Sequence, residues 1–359
     1  MSENNKIRNT YWDVVKGISI ISIVIGHCMP FLSRFVYLYH LAIFIFVGGY
    51  LFNNAKYSKE PFTFIGNKLK SNWTKYLIYT ILFIILHNIL LSLGVYNHEV
   101  AIFYSKVDII KYSINTLFFQ HMEPLGGALW FIVVIVFTSI LYCFIVHFSN
   151  KLKTPFLTHS FRIAIMLIGA FIGVYFVKNN IDVNNQFQKV LLMLPFATLG
   201  NYCNKIKKDT FNKLLNPIIG GLAFFALLYI VYKTDYQIEI SRNIIGNPVI
   251  FYLVSCIGIF FVLVLSKYIN LIKYNPFAKI GFYSYDIMAL HFCVFKLIDI
   301  IYYQWNPSIN LSGFPYSVVE LWPLYLILGI LLPIVFVLIF KRVKNFIVNI
   351  LVKFQILKV

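Results

Sequence analysis

Two polar residues enclose an otherwise apolar stretch near the start of the chain, KGISIISIVIGH (16–27). Lys16 and His27 are 11 residues apart, which in an α-helix is three turns plus about 20°. Both side chains would therefore project from nearly one face, about 16 Å apart along the helix axis. Two interpretations compete for each residue. Lys16 either extends to the lipid headgroups or holds a ligand, and His27 is either satisfied by a neighbouring helix or serves in a site.

A second histidine favours the interpretation that His27 serves in a site. His40 lies in the next apolar segment, YHLAIFIFVGGYLF (39–52), and only a short turn with Pro30 separates the two segments. His27 and His40 can therefore face each other near one end of a helical hairpin. A neutral imidazole can take a proton near neutral pH, and two histidines and a lysine on one hairpin favour a functional site over separate structural roles.

Further polar residues lie in two later apolar segments. His291 lies near the middle of SYDIMALHFCVFKLID (284–299). In the same segment, Lys296 and Asp299 at positions i and i+3 predict a structural salt bridge. His87 and Asn88, in the third apolar segment, are interpreted as residues that hydrogen-bond between helices.

The composition indicates which elements must hold these residues. Of the 359 residues, 60% are hydrophobic and 12% are charged, and the mean hydropathy is +0.77, which excludes an ordinary soluble domain. We therefore predict an all-α integral membrane protein, a bundle of about ten transmembrane helices. The ten apolar runs are 14–32, 36–52, 76–95, 127–147, 162–178, 188–203, 214–232, 249–266, 282–302 and 321–340.

The basic residues predict the orientation of this bundle. With the N-terminus in the cytoplasm, 22 of the 31 Lys and Arg residues fall in cytoplasmic segments and 7 in outer segments, while Lys16 and Lys296 lie within helices. This bias supports ten crossings with both termini cytoplasmic. The net charge of +18 is thus attributed to topology and anionic lipids rather than to nucleic acid. Residues 1–359 are interpreted as one polytopic membrane domain, with a cytoplasmic N-terminal segment at 1–12 and a cytoplasmic tail at 341–359.

Six motifs, in order along the chain, resemble the membrane-bound acyltransferase 3 family. The resemblance is closest to the branch of fucose 4-O-acetylases and surface-polysaccharide O-acetyltransferases. YWDVVKGISIISIVIGH resembles the family's basic–ten residues–His signature, and YHLAIFIFVGGYLF resembles its second-helix histidine stretch. The other four are GGALWFI (126–132), LPFATLGNY (194–202), GNPVIFYLVSCIGI (246–259) and YSYDIMALH (283–291). The chain departs from the family pattern at Lys16, where many relatives have Arg, at Ala42 for Pro, and at Asp286 for an apolar residue.

The resemblance implies an O-acetyltransferase of the bacterial cytoplasmic membrane. It would move an acetyl group from cytoplasmic acetyl-CoA to a hydroxyl of a cell-surface or lipid-linked polysaccharide, such as capsule or exopolysaccharide. Acetyl-CoA would be a co-substrate, no cofactor would be permanently bound, and an activated thioester would need no metal. Besides the two substrates, the expected partners are membrane lipids, and a homo-oligomer stays open.

The resemblance also implies roles for six residues. His27 would be the general base or a transient acyl carrier, and His40 would orient it or stabilise the oxyanion. Lys16 would hold the phosphate or pantetheine of CoA. The acceptor side would be formed by three more residues: Trp130 and Glu123 to contact the sugar, and His291 as a supporting partner. For Trp130, an interfacial anchor is an equal alternative.

Two other functions compete with acyl transfer. A transporter or flippase for lipid-linked sugars would be expected to show two related halves with interrupted helices at corresponding positions, and the sequence has no such repeat. A polysaccharide polymerase would be expected to carry a large outer loop, whereas the longest predicted outer segment is about 96–126.

Overall fold

Apolar helices make up most of the chain, as the composition predicts. The computed structural model describes residues 10–353. Helix content is 77%, and the described residues form no strands. The all-α prediction is therefore confirmed. The first nine residues of the predicted N-terminal segment, and residues 354–359 of the predicted tail, lie outside the described part.

Residues 10–353 form fifteen α-helices. In chain order they are α1 Thr10–Cys28, α2 Pro30–Tyr37, α3 Ala42–Tyr50, α4 Asn54–Tyr57, α5 Pro61–Ser92, α6 Lys106–Leu117, α7 Trp130–Ser149, α8 Pro155–Lys178, α9 Phe187–Asn204, α10 Lys208–Leu214, α11 Pro217–Lys233, α12 Pro248–Ile269, α13 Pro276–Phe282, α14 Ser284–Tyr303 and α15 Trp322–Lys353. Short 3-10 helices lie at Pro124–Leu129, Asn184–Gln186, Ile240–Arg242 and Val319–Leu321.

In the described part of the chain, seven segments are long and apolar enough to cross a membrane. They are Thr10–Cys28, Pro30–Tyr50, Pro61–Ser92, Pro124–Ser149, Pro155–Lys178, Pro248–Ile269 and Val319–Asn349. The pair α10 and α11, bent by 52°, becomes an eighth if it is one span. The predicted count of about ten and the predicted orientation are not confirmed, and both stay predictions.

Two of the predicted runs correspond to helices outside that set. The run at 282–302 is α14, which carries Asp286, Lys296 and Asp299, and the run at 188–203 is α9, which carries Pro195. Most residues of both helices are buried against other helices. A helix surrounded by protein can keep charged residues that lipid would not accept, because neighbouring helices supply their partners.

The catalytic candidates are held near the centre of the bundle. The apolar window of α1 is 72% buried, whereas those of α8 and α15 are only 28% buried. Helix α1 packs against α2, α12, α13, α14 and α15, and α3 packs against α9. Helices α8 and α15 therefore lie at the periphery, and α1 is enclosed.

Helix α1 touches α13 backbone to backbone. Gly17 of α1 lies against the Phe277 carbonyl, and Gly281 of α13 lies against the Asp13 carbonyl. A Cβ at either glycine would overlap that oxygen. Small residues permit this approach of helix backbones in membrane proteins, so the two glycines fix the position of α1 beside α13.

The second predicted run has different bounds in the structure. Helix α2 begins at Pro30, which is compatible with the first helical turn because proline lacks an N–H. The chain then turns at residues 38–41 before α3 continues. His40 therefore lies in a turn between two short helices rather than inside one helix. At the other end of the chain, α15 continues through Lys353, so the predicted tail at 341–359 begins inside a helix.

Candidate active site

His27 lies in the last turn of α1 and faces a cavity. Its ring stacks on that of His291, with 5.4 Å between ring centroids, and meets Phe292 edge-on at 4.8 Å. Within residues 10–353 neither ring nitrogen of His27 has a hydrogen-bond partner. An imidazole that is held by stacking and has free nitrogens can accept a proton from a molecule that enters the cavity.

His40 reaches the same cavity from the turn between α2 and α3. Its Nδ1 lies 2.9 Å from the Val36 carbonyl oxygen, and Tyr37 stacks on the ring at 5.0 Å between centroids. A carbonyl only accepts, so Nδ1 carries the proton and donates. In the neutral ring Nε2 is then an acceptor, and this tautomer is fixed by a backbone carbonyl near the end of α2.

His291 lies behind His27, on α14. It is fully buried, its Nδ1 donates to the Ile287 carbonyl at 2.9 Å, and its Nε2 has no partner in the described part of the chain. One ring face is used for the contact with His27. His291 therefore supports His27 and is absent from the residues that line the cavity.

The cavity beside His27 and His40 is small, with a volume of about 40 Å³. This is room for a few water molecules, not for a sugar ring. Trp130, at the start of α7, forms part of its wall, and the Lys189 ammonium lies 4.8 Å from the centre of the Trp130 ring. The structure thus brings Trp130 together with the two histidines, and its contact with an acceptor sugar stays a prediction.

Two polar residues of the cavity were not predicted. Glu239 and Ser241 line it from the loop between α11 and α12, residues 234–247. Glu239 pairs with Arg242 at 3.1 Å, and the Ser241 carbonyl accepts from Lys189 at 3.0 Å. The sequence offered only one weak indication that Glu239 belongs to a site, namely that it is one of only 13 acidic residues in the chain.

Glu123 lies in a different cluster. Both of its carboxylate oxygens are satisfied: Oε2 accepts from His87 at 2.8 Å, and Oε1 accepts from His121 and Tyr104, each at 2.9 Å. Glu123 is buried and does not line the cavity of His27. It directly precedes the 3-10 helix Pro124–Leu129 that leads to Trp130. Its contact with an acceptor sugar stays a prediction.

Lys16 is engaged within its own helix. Its Nζ lies 2.7 Å from Oδ1 of Asp13, and about a quarter of its side chain is exposed. The continuous helix α1 carries both Lys16 and His27, which places them about 16 Å apart along the axis. The stripe inferred from the sequence is therefore present, and ligand binding by Lys16 stays a prediction.

The other polar residues singled out from the sequence, Lys296, Asp299, Asp286, His87 and Asn88, have structural partners. The predicted salt bridge between Lys296 and Asp299 is confirmed at 2.9 Å. Asp286, one of the departures from the family pattern, pairs with Lys75 at 2.9 Å. His87 and Asn88 bond to residues 102–104, a loop segment rather than another helix, which corrects that part of their interpretation.

Together, the fold and the site define a class: an all-helical protein with several membrane-spanning candidates and three histidines gathered beside one cavity. A family model described as an acyltransferase domain matches residues 9–342. The chain therefore belongs to this acyltransferase family, the acyltransferase 3 family of the resemblance, and its apolar helices fit a multi-pass membrane protein. Among curated proteins and solved structures nothing matches the chain.

Proposed function

We propose that the protein is an O-acetyltransferase of the bacterial cytoplasmic membrane. It takes the acetyl group of cytoplasmic acetyl-CoA and places it on a hydroxyl of a cell-surface or lipid-linked polysaccharide, in the manner of the fucose 4-O-acetylase-like branch. The observation that carries the proposal is the His27 ring, which lines a cavity within the helical bundle and has no hydrogen-bond partner among the described residues. Membership of an acyltransferase family supports this chemistry over transport.

In this proposal His27 is the general base. It removes the proton of the acceptor hydroxyl while the hydroxyl oxygen attacks the thioester carbonyl carbon. The tetrahedral intermediate collapses as the C–S bond breaks, and the leaving CoA sulfur takes the proton back from His27. No net proton is gained or lost, and the histidine is ready for another cycle.

His40 assists as a hydrogen-bond acceptor. With Nδ1–H donated to Val36, the neutral ring offers only the Nε2 lone pair to the cavity. It can orient a protonated nitrogen of His27, whereas stabilising an oxyanion would require a second proton on His40. The geometry thus supports the orienting role over the oxyanion role. The second proposed role of His27, a transient acyl carrier, uses the same free nitrogens.

The remaining residues divide between the two substrates. Lys16 contacts a phosphate or the pantetheine of the donor by exchanging its Asp13 partner. Trp130 packs against a sugar ring at the cavity wall, and Glu239 adds a carboxylate that accepts hydroxyl hydrogen bonds. Because the cavity has a volume of only about 40 Å³, the acceptor enters by displacing part of the loop at 234–247.

The His27→Ala variant tests the assignment. We expect acetyl transfer from radiolabelled acetyl-CoA by the purified protein to fall by about 10²-fold or more, since a positioned general base contributes on that scale. Thermal unfolding and membrane accumulation should be unchanged. His98→Ala, which removes an exposed histidine, is the matched control. Near-normal transfer by His27→Ala would refute the role, and mass analysis of surface glycans should show the loss of one acetyl ester.

A further inference from the structure

A second cavity, far larger than the one at His27, is rich in basic residues. Its volume is about 690 Å³, and it lies between the α3–α5 connection, the α7–α8 loop and the end of α9. The described residues that line it include no Asp or Glu. Its cationic and titratable members are Lys59, Lys153, Arg162, Lys205 and His159.

Arg162 is the fixed centre of this group. Its side chain is only 3% exposed, its Nε donates to Ser149 Oγ at 2.6 Å, and an Nη donates to the side-chain oxygen of Asn150. No carboxylate among residues 10–353 lies within ion-pairing distance of it. A buried charge without a counter-charge is strongly unfavourable, and these neutral partners orient the guanidinium without neutralising it.

The neighbouring cation adds to this unbalanced charge. Partial burial, and secondly the charge of the nearby Arg162 guanidinium, lower the pKa of the Lys205 ammonium. Like charges gathered around one cavity repel one another unless an anion lies between them. The N-terminus of the 24-residue helix α8, at Pro155, also lines the cavity and adds its positive dipole end.

We propose that this cavity is a binding site for a phosphate or pyrophosphate group, with Arg162 as its principal ligand. The planar guanidinium can give two parallel hydrogen bonds to phosphate oxygens. Lys205 and Lys153, both exposed, neutralise the remaining charge. Lys59, Lys153, Arg162 and Lys205 all belong to segments that the distribution of basic residues predicts to be cytoplasmic.

Two kinds of ligand carry a phosphate group of this kind. One is the nucleotide part of the acyl donor, an assignment that rests on the proposed function, and the other is the headgroup of an anionic lipid. The volume of about 690 Å³ is in the range of pockets that hold small organic ligands. Both sources present phosphate oxygens to the same guanidinium, so only competition between them separates the two.

The test of this site measures binding without turnover. A failure to bind would therefore contradict the phosphate site without contradicting the acetyl-transfer proposal. The purified full chain is placed in phosphatidylcholine nanodiscs and titrated with inorganic pyrophosphate, then with coenzyme A. Arg162→Gln should weaken pyrophosphate binding by about 10- to 100-fold, the scale of a hydrogen bond to a charged group. Lys178→Gln, an exposed cation at the other end of α8, should bind like the unchanged protein.

The competing sources are separated in the same experiment. Displacement of pyrophosphate by coenzyme A, but not by phosphatidylglycerol added to the nanodisc, assigns the site to the donor. The reverse assigns it to a lipid headgroup. Since Arg162→Gln removes a bond to the buried Ser149 and can unfold the chain, a Lys153→Gln, Lys205→Gln double variant serves as the second test and should weaken binding several-fold. The proposal is overturned if no probe binds, or if Arg162→Gln and Lys178→Gln bind equally well.

Discussion

At the scale of single residues, the bond from His40 to the Val36 carbonyl decides what that histidine can do. The backbone oxygen holds the proton on Nδ1 and leaves Nε2 as an acceptor toward the cavity. His40 Nδ1 donates to the carbonyl four residues earlier, as His291 Nδ1 also does within α14. The division of roles proposed for His27 and His40 therefore follows from a backbone contact rather than from residue type alone.

The pair His40→Gln and His40→Ala tests this role. A glutamine amide has a carbonyl oxygen that can accept a hydrogen bond and an NH2 group that can donate one, but no basic nitrogen. If His40 acts as an acceptor that orients His27, kcat should fall by about 10-fold or more in His40→Ala. It should fall less in His40→Gln, whose amide oxygen can accept in place of the imidazole. Acetyl-transfer kinetics of the purified variants give the comparison. A near-normal kcat in His40→Ala would refute the orienting role.

Glu123→Gln tests whether the buried carboxylate is structural. The amide would turn one of two accepting oxygens into a donor that faces His87, His121 or Tyr104, all of which donate to Glu123. We expect a loss of about 1–3 kcal/mol in the free energy of unfolding, read as a lower Tm in detergent. Glu99→Gln, at an exposed loop position, is the control. An unchanged Tm with a raised KM for the acceptor would point to sugar binding.

Spacing and residue type predicted that His27 and His40 lie close together, which the structure shows, while their chemical roles stay predictions. These two were singled out because histidines are rare in apolar helices, whereas Trp130 was identified through the GGALWFI motif of the family resemblance. Glu239 and Ser241 come from a loop some 200 residues further along the chain, where local sequence carries no signal for contact with α1. Two partners of Glu123, Tyr104 and His87, lie 19 and 36 residues away along the chain, and local sequence carried no signal for these contacts either.

At the scale of helices, one added methyl group should disrupt the close packing of α1 against α13. In Gly281→Ala the new Cβ would overlap the Asp13 carbonyl, so the helices must separate. Overpacking of this kind costs about 1–3 kcal/mol, and Tm should fall accordingly. Gly221→Ala, where nothing lies within 4 Å of the new Cβ, should leave Tm unchanged or raise it slightly.

A matching loss of acetyl transfer in Gly281→Ala, measured below its Tm, would show that α13 also positions His27. An unchanged Tm in that variant would contradict the packing described for these two helices.

Helix positions were predicted more accurately than helix ends and lipid exposure. The predicted run at 249–266 matches α12 closely, because long apolar periods have few alternatives, whereas the run at 14–32 is shifted by four residues toward the C-terminus relative to α1. The second run was displaced because Pro30 begins a helix as readily as it ends one. The interior positions of α9 and α14 depend on which helices surround them, which composition does not encode.

At the scale of the whole molecule, the predicted orientation is open to direct measurement. Lys153→Cys and Lys106→Cys place thiols at two exposed positions that the charge bias assigns to opposite membrane faces. A membrane-impermeant maleimide should label Lys106→Cys in intact cells and Lys153→Cys only after permeabilisation. The unchanged chain, whose five cysteines are buried or partly buried, gives the background. The opposite labelling pattern would invert the orientation, and with it the face on which the phosphate site lies.

The contact between Gly17 and Gly281 also bears on how the protein is made. Helix α1 is synthesised first, while α13 begins only at Pro276, so the ribosome adds about 250 residues before the two can meet. Contacts this distant in sequence form late, after the intervening chain has entered the membrane. Until then helix α1, which carries His27, lacks its packing contact with α13. A product that ends before residue 276 would retain His27 and lack the helix α13 that packs against α1.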